Sequence, residues 1–192
     1  IISLTTTLRA GTAAEVAAVG NEGLVGVCAF LGGGPALGNA LVQGAGCALR
    51  VPATALRDAA RQSPALTQKL MAYTQGLLAH MAQTSACLRH HRVDQQLCRW
   101  LLLHLDRLPG NVIAATHDGI AQLLGVRREG VTNGAISLQR AGVIRYTRGP
   151  LLRVLRRSAP GPSATATRAR WRDAARAAGV GVAPGRAGRS KG

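Results

Sequence analysis

Residues 116–131 are the segment that most constrains the fold of this chain of 192 residues. The pattern of this segment predicts two short helices joined by a tight turn. Thr116 is a good N-cap for the first helix, and Gly125 supplies the positive φ that such a turn often requires. The positions expected to face a common core are Ile120, Ala121, Leu123, Leu124, Val126 and Val131. The segment therefore predicts a helix-turn-helix.

Basic side chains open the second helix of this motif. Arg127 and Arg128 stand at its N-terminal end, where a recognition helix directs side chains into the DNA major groove. Residues 145–154 predict a basic β-hairpin, which would form a wing beside the motif. The alternative is an ordinary helical hairpin with arginines on its surface. The residues expected to contact DNA are Thr116, His117, Arg127, Arg128, Glu129, Thr132, Asn133, Arg145 and Arg148.

The first fifty residues are predicted to be rich in β-strands. Residues 2–8 alternate with period two, and residues 13–19 return as a second strand after a turn. Residues 40–43 and 47–51 predict two further short strands. Between them, residues 20–38 predict a glycine-rich loop region around a short apolar run.

A helical pattern follows. Residues 53–62 predict an alanine-rich helix, Ser63-Pro64 begins a helix of about 24 residues, and residues 93–108 predict a further apolar helix. Apolar residues on the long helix recur at threes and fours, which suits packing against a second copy of the chain. The alternative is a helix that covers its own domain's sheet. The residues expected to form the dimer seam are Leu66, Leu70, Tyr73, Leu77 and Met81.

The charge is strongly positive, with 24 basic against 8 acidic residues and a formal net charge of +16. Such a balance favours an anionic partner, usually nucleic acid or an acidic membrane surface. The alternative is that the arginines reflect a GC-rich coding sequence. Residues 156–192 carry half of the net charge in a low-complexity tail. This tail is either a disordered basic arm that strengthens non-specific DNA binding or a shifted-frame translation of GC-rich DNA.

No pattern for catalysis or metal binding is evident. There is no Ser-His-Asp, paired-carboxylate or P-loop arrangement, so the chain is predicted not to be an enzyme and to need no cofactor. The cysteines lack a C-x-x-C pair and are predicted to be reduced thiols; they are Cys28, Cys47, Cys87 and Cys98. The histidines are predicted to be surface or packing residues rather than metal ligands; they are His80, His90, His91, His104 and His117.

A cytoplasmic location without a membrane partner is expected. No stretch has the length and apolar character of a transmembrane helix. The chain opens in Ile-Ile-Ser-Leu without a methionine or a basic signal-peptide region. That opening suggests a fragment or an incomplete gene product.

Residues 120–131 and 138–144 are similar to the Crp/Fnr family of bacterial transcription regulators. These stretches are Ile-Ala-Gln-Leu-Leu-Gly-Val-Arg-Arg-Glu-Gly-Val and Leu-Gln-Arg-Ala-Gly-Val-Ile, and the similarity extends over about residues 1–155. The resemblance implies an α+β fold with a jelly-roll (β-roll) sensor domain, a long dimerisation helix and a C-terminal winged helix-turn-helix. It further implies a homodimer on a palindromic promoter site that contacts RNA polymerase. In this family an Arg-Glu pair reads base edges, and Arg128-Glu129 match it.

The chain departs from the family pattern in three ways. Roughly the first half of the sensor roll is missing. Where cyclic-nucleotide-binding members carry charged contacts, this chain has Gly26-Val27 and Gly38-Asn39, so no cAMP binding is predicted. Asn133 stands where the family has a third base-reading arginine, between Gly130 and Gly134, each of which costs a helix about 1 kcal/mol against Ala. We therefore expect a recognition helix that is only partly formed before it binds DNA, and an altered target site.

Four segments are predicted. Residues 1–62 form a truncated cyclic-nucleotide-binding-like β-roll, 63–90 the dimerisation helix, 91–157 the winged helix-turn-helix, and 158–192 the basic tail. The leading hypothesis is a dimeric, sequence-specific transcription factor under effector control by a degenerate sensor domain. The alternatives are a small-molecule sensing module and a truncated, inactive homologue in which half a roll exposes unpaired strand edges.

Overall fold

The computed structural model describes residues 1–7, 9, 11–36, 38–108, 110–146 and 151–154. Arg148 and the predicted tail 158–192 lie outside these residues. The described elements are, in order, β1 (Ile2–Thr7), β2 (Ala13–Val19), α1 (Val27–Leu31), β3 (Asn39–Val42), α2 (Ala53–Gln62), α3 (Pro64–His90), α4 (Val93–Leu105), β4 (Val112–Ala114), α5 (His117–Leu124), α6 (Arg128–Arg140), β5 (Ile144–Tyr146) and β6 (Leu151–Val154). The predicted α+β class is confirmed.

The N-terminal sheet is antiparallel, with strand order β2-β1-β3. Ile2 lies opposite Val19 on one side and Val42 on the other. The three predicted strands in this sheet are confirmed to within one residue. The predicted strand at residues 47–51 is wrong: that stretch has no strand neighbour among the described residues, and Leu49 is 98% exposed.

Strand β1 turns a polar face towards the rest of the chain. Ser3 and Thr5 are buried, whereas Ile2 and Leu4 on the other face are half-buried. Small hydroxyl side chains can be buried at this place because they find hydrogen-bond partners there: the Ser3 hydroxyl donates to the carboxyl group of Glu15 on β2. Polar side chains of the sheet are therefore buried within the chain, together with the apolar end of β2.

Helices α2 and α3 begin as the sequence predicts. The Ser63 Oγ accepts a hydrogen bond from the Leu66 N–H at 3.3 Å and caps α3, with Pro64 as its first residue. The predicted helix over 93–108 ends earlier, at Leu105, because the chain tightens into a turn. In the predicted loop region the short helix α1 follows Gly26, whose φ is +89°.

The core is built around α4. Leu97, Cys98 and Leu101 have no exposed surface, and α4 packs against both α5 and α6. The predicted inner positions are buried in this core: Ile120, Ala121, Leu123, Leu124 and Val131, with Val126 partly buried beside them. The helix-turn-helix is thus held on one apolar cluster that also includes Ile144 and Leu152 of the wing strands.

The wing has one more strand than predicted. Strands β5 and β6 pair antiparallel, as the predicted hairpin requires. Strand β4 pairs with the other edge of β6, which gives the order β4-β6-β5. Three residues are too few for a period-two pattern, so the sequence analysis missed β4.

The four cysteines are unpaired in the structure. Burial raises the pKa of the Cys98 thiol to about 11, so this side chain acts as a small apolar core residue. Among the described residues, no group of three or more His, Cys, Asp and Glu side chains could hold a metal ion. Nor does any helix in this part of the chain have the length and apolar character to cross a membrane.

Candidate nucleic-acid interface

The turn between α5 and α6 has the geometry that the sequence predicts. The Thr116 Oγ1 accepts a hydrogen bond from the Gly119 N–H at 3.0 Å and caps α5. Gly125 ends α5 with a φ of +66°, and the Val126 N–H then donates to the Ala121 carbonyl at 3.0 Å. These local bonds fix the direction in which α6 leaves the turn.

Helix α6 is continuous from Arg128 to Arg140, so the expectation of a partly formed recognition helix is wrong for this structure. The reason is tertiary packing. A Cβ atom at Gly134 would lie 3.2 Å from the Asp94 Cα, so the glycine lets α6 approach the start of α4 closely. This contact offsets the weak helix propensity of glycine.

The exposed side of α6 carries most of the predicted DNA contacts. Arg128, Glu129 and Asn133 are exposed there, with Thr132 half-buried between them, and Arg127 is exposed at the N-cap. Ile136 is also exposed, at 42%, one turn after Thr132 on the same side. The sequence analysis did not select Ile136, although its i+4 spacing from Thr132 was available as a signal.

Arg128 makes an ion pair that was not predicted. Its Nε lies 3.4 Å from the Oδ1 of Asp118, an acidic residue in the first turn of α5. Both side chains are largely exposed, so water screens the attraction. The pair brings a carboxylate into the predominantly basic surface.

The side chains of His117 and Thr132 form a hydrogen bond with each other. The His117 Nδ1 lies 3.0 Å from the Thr132 Oγ1, which in turn donates to the Arg128 carbonyl at 3.1 Å. The His117 ring also meets the Tyr146 ring edge-on, with centroids 4.7 Å apart. Burial, reinforced by the Arg128 charge, lowers the pKa of His117. This imidazole joins α5, α6 and the wing, and its contact with DNA stays a prediction.

The wing contributes a basic edge. Arg145 on β5 is exposed, and its backbone lies opposite Arg153 of β6 in the strand register. The predicted contact by Arg148 falls outside the described residues.

The predicted dimer seam faces the chain's own sheet in part. Helix α3 packs against β2. All five residues of the predicted seam are half-buried within the chain; they are Leu66, Leu70, Tyr73, Leu77 and Met81. The Tyr73 hydroxyl donates to the Leu24 carbonyl at 2.9 Å. The large apolar side chains that α3 exposes are Met71 and Leu78. This arrangement agrees with the alternative interpretation of the pattern, and the role of the seam in dimerisation stays a prediction.

Comparison with known proteins identifies the C-terminal part of the chain. Residues 95–159 match the family model of the Crp-like helix-turn-helix domain. No curated protein is significantly similar to the whole chain.

Solved structures share the fold over most of the chain. FixK2 from Bradyrhizobium japonicum is 18% identical with a TM-score of 0.56, over 81% of this chain and 79% of that one. A Crp/Fnr-family transcriptional regulator from Thermus thermophilus is 22% identical with a TM-score of 0.57, over 81% and 78%. The c-di-GMP-responsive global regulator CLP from Xanthomonas campestris is 15% identical with a TM-score of 0.59, over 81% and 80%. The chain therefore carries a Crp-like helix-turn-helix DNA-binding domain within the fold of Crp/Fnr-family transcriptional regulators, which confirms the resemblance.

Proposed function

We propose that this chain is a transcription factor that binds a palindromic promoter site as a homodimer. The observation that carries the proposal is the two-sided character of α6. Its inner side is buried in the core at Val131, Ala135 and Leu138, while Arg128 and Glu129 stand exposed at its start. A rigid helix with exposed polar side chains at its N-terminal end is the arrangement that enters a major groove.

The exposed side chains suit base recognition. The Arg128 guanidinium can donate two hydrogen bonds to a guanine edge, and Glu129 can accept from the amino group of cytosine. Asn133 can bind an adenine edge, and Ile136 can contact a thymine methyl group. Arg145 is exposed on the wing, outside α6, and is assigned to phosphate.

A homodimer fits the exposed side of α3. Met71 and Leu78 lie there among small residues, which are Ala72, Ala79 and Ala82. Small residues let two helices approach closely, and two-fold symmetry of the protein would match a palindromic site. The predicted seam residues are half-buried on the side of α3 that packs against the chain's own elements, and their accessible part is assigned to the same contact.

The N-terminal sheet is assigned to effector control without cAMP. Val27 stands in α1 where a ribose-binding carboxylate would be needed, and Gly38 stands where a phosphate-binding arginine would be needed. A Cβ atom at Gly38 would collide with the Thr5 carbonyl oxygen, so no larger side chain fits this backbone. Contact with RNA polymerase, a cytoplasmic location and the lack of catalytic activity belong to the same proposal.

A second candidate function, small-molecule sensing, is favoured by a cavity of about 290 Å³ between the N-terminal sheet and α5. Thr5 and Gln43 line it from the sheet, and Thr116 and Gln122 line it from the helix-turn-helix. None of its described lining residues is charged. A neutral ligand is therefore expected, because the phosphates of cyclic di-GMP, to which the Xanthomonas regulator responds, would find no cation there. Thermal shift assays with neutral metabolites and with cyclic di-GMP separate the two ligand classes.

Selection of binding sites from a pool of random duplex DNA tests the main proposal. The wild-type chain should enrich a palindromic sequence, whereas Arg128→Ala should enrich a site with one relaxed position in each half. Arg61→Ala removes the same charge from α2 and should enrich the wild-type site. If the wild-type chain enriches no sequence at all, the proposed function is wrong.

A further inference from the structure

A buried polar cluster joins the N-terminal sheet to the helix-turn-helix domain. Ser3 of β1 and Glu15 of β2 face Trp100 and His104 of α4, and all four side chains are almost fully buried. The Glu15 Oε2 accepts a hydrogen bond from the Ser3 hydroxyl and lies 4.0 Å from the His104 Nε2. A carboxyl group from one part of the chain thus faces an imidazole from the other.

The hydrogen bonds determine which nitrogen of His104 carries a proton. The Nδ1 lies 3.0 Å from the Trp100 carbonyl oxygen, which can only accept, so Nδ1 is the donor. In the neutral imidazole the Nε2 then has a free lone pair, and within the described part of the chain no group donates to it. An ionised Glu15 would place a negative oxygen opposite this lone pair. Protonation of Glu15 removes that repulsion.

Burial determines the protonation states of Glu15 and His104. Desolvation raises the pKa of Glu15, although the Ser3 hydroxyl and the Trp100 indole act in the opposite direction. Desolvation also lowers the pKa of His104 to about 4. Both directions favour the uncharged pair, in which a protonated Glu15 faces a neutral imidazole.

The surrounding charges come from α4 and from the elements packed on it. Arg99 and Arg107 lower the pKa of Glu15, and Arg107 and the amine of Ile1 lower that of His104. They do not reverse the effect of burial on Glu15.

Three further titratable side chains lie at the border of the same interface. Glu22 binds Arg107 at 2.7 Å in a partly exposed ion pair. On α3, burial lowers the pKa of His80 to about 4, so this imidazole is neutral near pH 7, and the Cys87 thiol lies in the adjoining small cavity.

We propose that Glu15 is a positioning residue that stays protonated opposite the neutral imidazole of His104 and thereby holds α4 of the DNA-binding domain against the N-terminal sheet. When the proton leaves at high pH, a negative charge remains in a buried interface opposite a lone pair, and the two parts separate more easily. The inference goes beyond the proposed function because it concerns the contact between the two parts of the chain, whether or not DNA is bound.

Glu15→Gln tests the inference in the full chain. The amide carries no charge at any pH, so it imitates the protonated carboxyl group, and its oxygen can keep the hydrogen bond from the Ser3 hydroxyl. Between pH 5 and pH 9 the thermal unfolding midpoint of the wild type should fall relative to that of the variant. The difference between the two midpoints should grow by about 3 °C or more over this range. Parallel profiles of the two proteins would overturn the proposal.

Glu22→Gln is the matched control. It removes the same charge from the same interface, but from the partly exposed pair with Arg107. Its midpoint should follow the wild type across the pH range. If the difference between its midpoint and that of the wild type grows with pH as much as for Glu15→Gln, general charge and not the protonation of Glu15 is responsible. That result would also overturn the proposal.

Nitrogen NMR of His104 in the wild type gives a measurement that needs no variant. The proposal requires a protonated Nδ1 at pH 7, whereas a bare Nδ1 would overturn it. Binding of a 30-base-pair duplex of random sequence, measured alongside, keeps the two hypotheses apart. A chain that binds no DNA but shows the expected pH profiles contradicts the proposed function alone.

Discussion

The Nε of Arg128 lies 3.4 Å from the Oδ1 of Asp118, so the arginine that we propose to read a base is paired with a carboxylate of the preceding helix. Both side chains are about two-thirds exposed, at 64% and 67%. An exposed pair of this kind contributes at most about 1 kcal/mol. A base edge can therefore replace Asp118 as the partner of the guanidinium at low cost.

The Asp118 carboxylate should weaken DNA binding in general. Asp118→Asn keeps the side-chain size, frees Arg128 and removes a charge that repels phosphate. Affinity for both selected and random duplexes should rise by about two- to fivefold, as measured by fluorescence anisotropy. Asp58→Asn is the control, since Asp58 makes an exposed pair with Arg61 at the same 3.4 Å on α2. A lower affinity of Asp118→Asn, or an equal rise in both variants, would contradict this prediction.

Arg128 and Arg145 should behave as two classes of contact. Arg128→Ala should cost about 1–3 kcal/mol on the selected site and relax one base position in each half-site. Arg145→Ala should weaken binding to specific and random duplexes alike. It should also reduce by about one the slope of the logarithm of the binding constant against the logarithm of the salt concentration. Binding to single-base variants at two salt concentrations measures both effects. If Arg128→Ala lowers affinity equally for every sequence, α6 is not the base-reading element.

The local parts of the fold could be predicted from the sequence because their signals are local. A hydroxyl at Thr116, a glycine at Gly125 and apolar residues at helical spacing are sufficient to predict a helix-turn-helix. Alternation was similarly sufficient for β1, and the turn that follows it predicted the return strand β2. By contrast, residues 47–51 look like a strand by composition but have no partner strand among the described residues.

Contacts between distant residues could not be predicted. Nothing in the sequence places Glu15 against His104, and both alone look like ordinary polar residues. Asp118 lies beside Arg128 only because the angle between α5 and α6 brings the two side chains together. The apolar spacing on α3 was detected in the sequence. Spacing alone does not show whether the apolar side packs against the chain's own sheet or against a second copy of the chain.

The exposed side of α3 should hold the homodimer. Met71→Glu with Leu78→Glu adds charge to exposed apolar positions, so it should give monomers in sedimentation without unfolding the chain, and binding of the palindromic site should be lost. Leu70→Glu with Leu77→Glu should also give monomers but should lower the unfolding midpoint, because both residues are half-buried against the chain's own elements.

Two acidic substitutions on α2 provide the control for the dimer experiment. The double variant Ala55→Glu with Ala59→Glu adds the same charge to an exposed side of that helix. This variant should remain a dimer. Dimers of unchanged stability after Met71→Glu with Leu78→Glu would show that another surface holds the two copies together.

The N-terminal sheet should not bind cAMP. A phosphate enclosed without a cation is unfavourable, and neither Val27 nor Gly38 can supply one. Isothermal titration calorimetry of the full chain should give no heat of binding at micromolar concentrations. Gly38→Arg should not restore binding, since any Cβ collides with the Thr5 carbonyl and the variant loses stability. Micromolar affinity of the wild type would contradict the prediction.

Two glycines of α6 should respond to alanine in opposite ways. At Gly134 a Cβ would lie 3.2 Å from the Asp94 Cα, so the backbone of α4 must move, and the overlap should outweigh the gain of about 1 kcal/mol in helix propensity. At Gly130 the nearest atoms are methyl groups of Val93 at 3.4 Å, which is an ordinary contact. Gly130→Ala should therefore raise the unfolding midpoint by about 2–4 °C, and Gly134→Ala should lower it. Each variant is the control for the other, and shifts of the same sign would show that α6 does not approach α4 as closely as its glycines suggest.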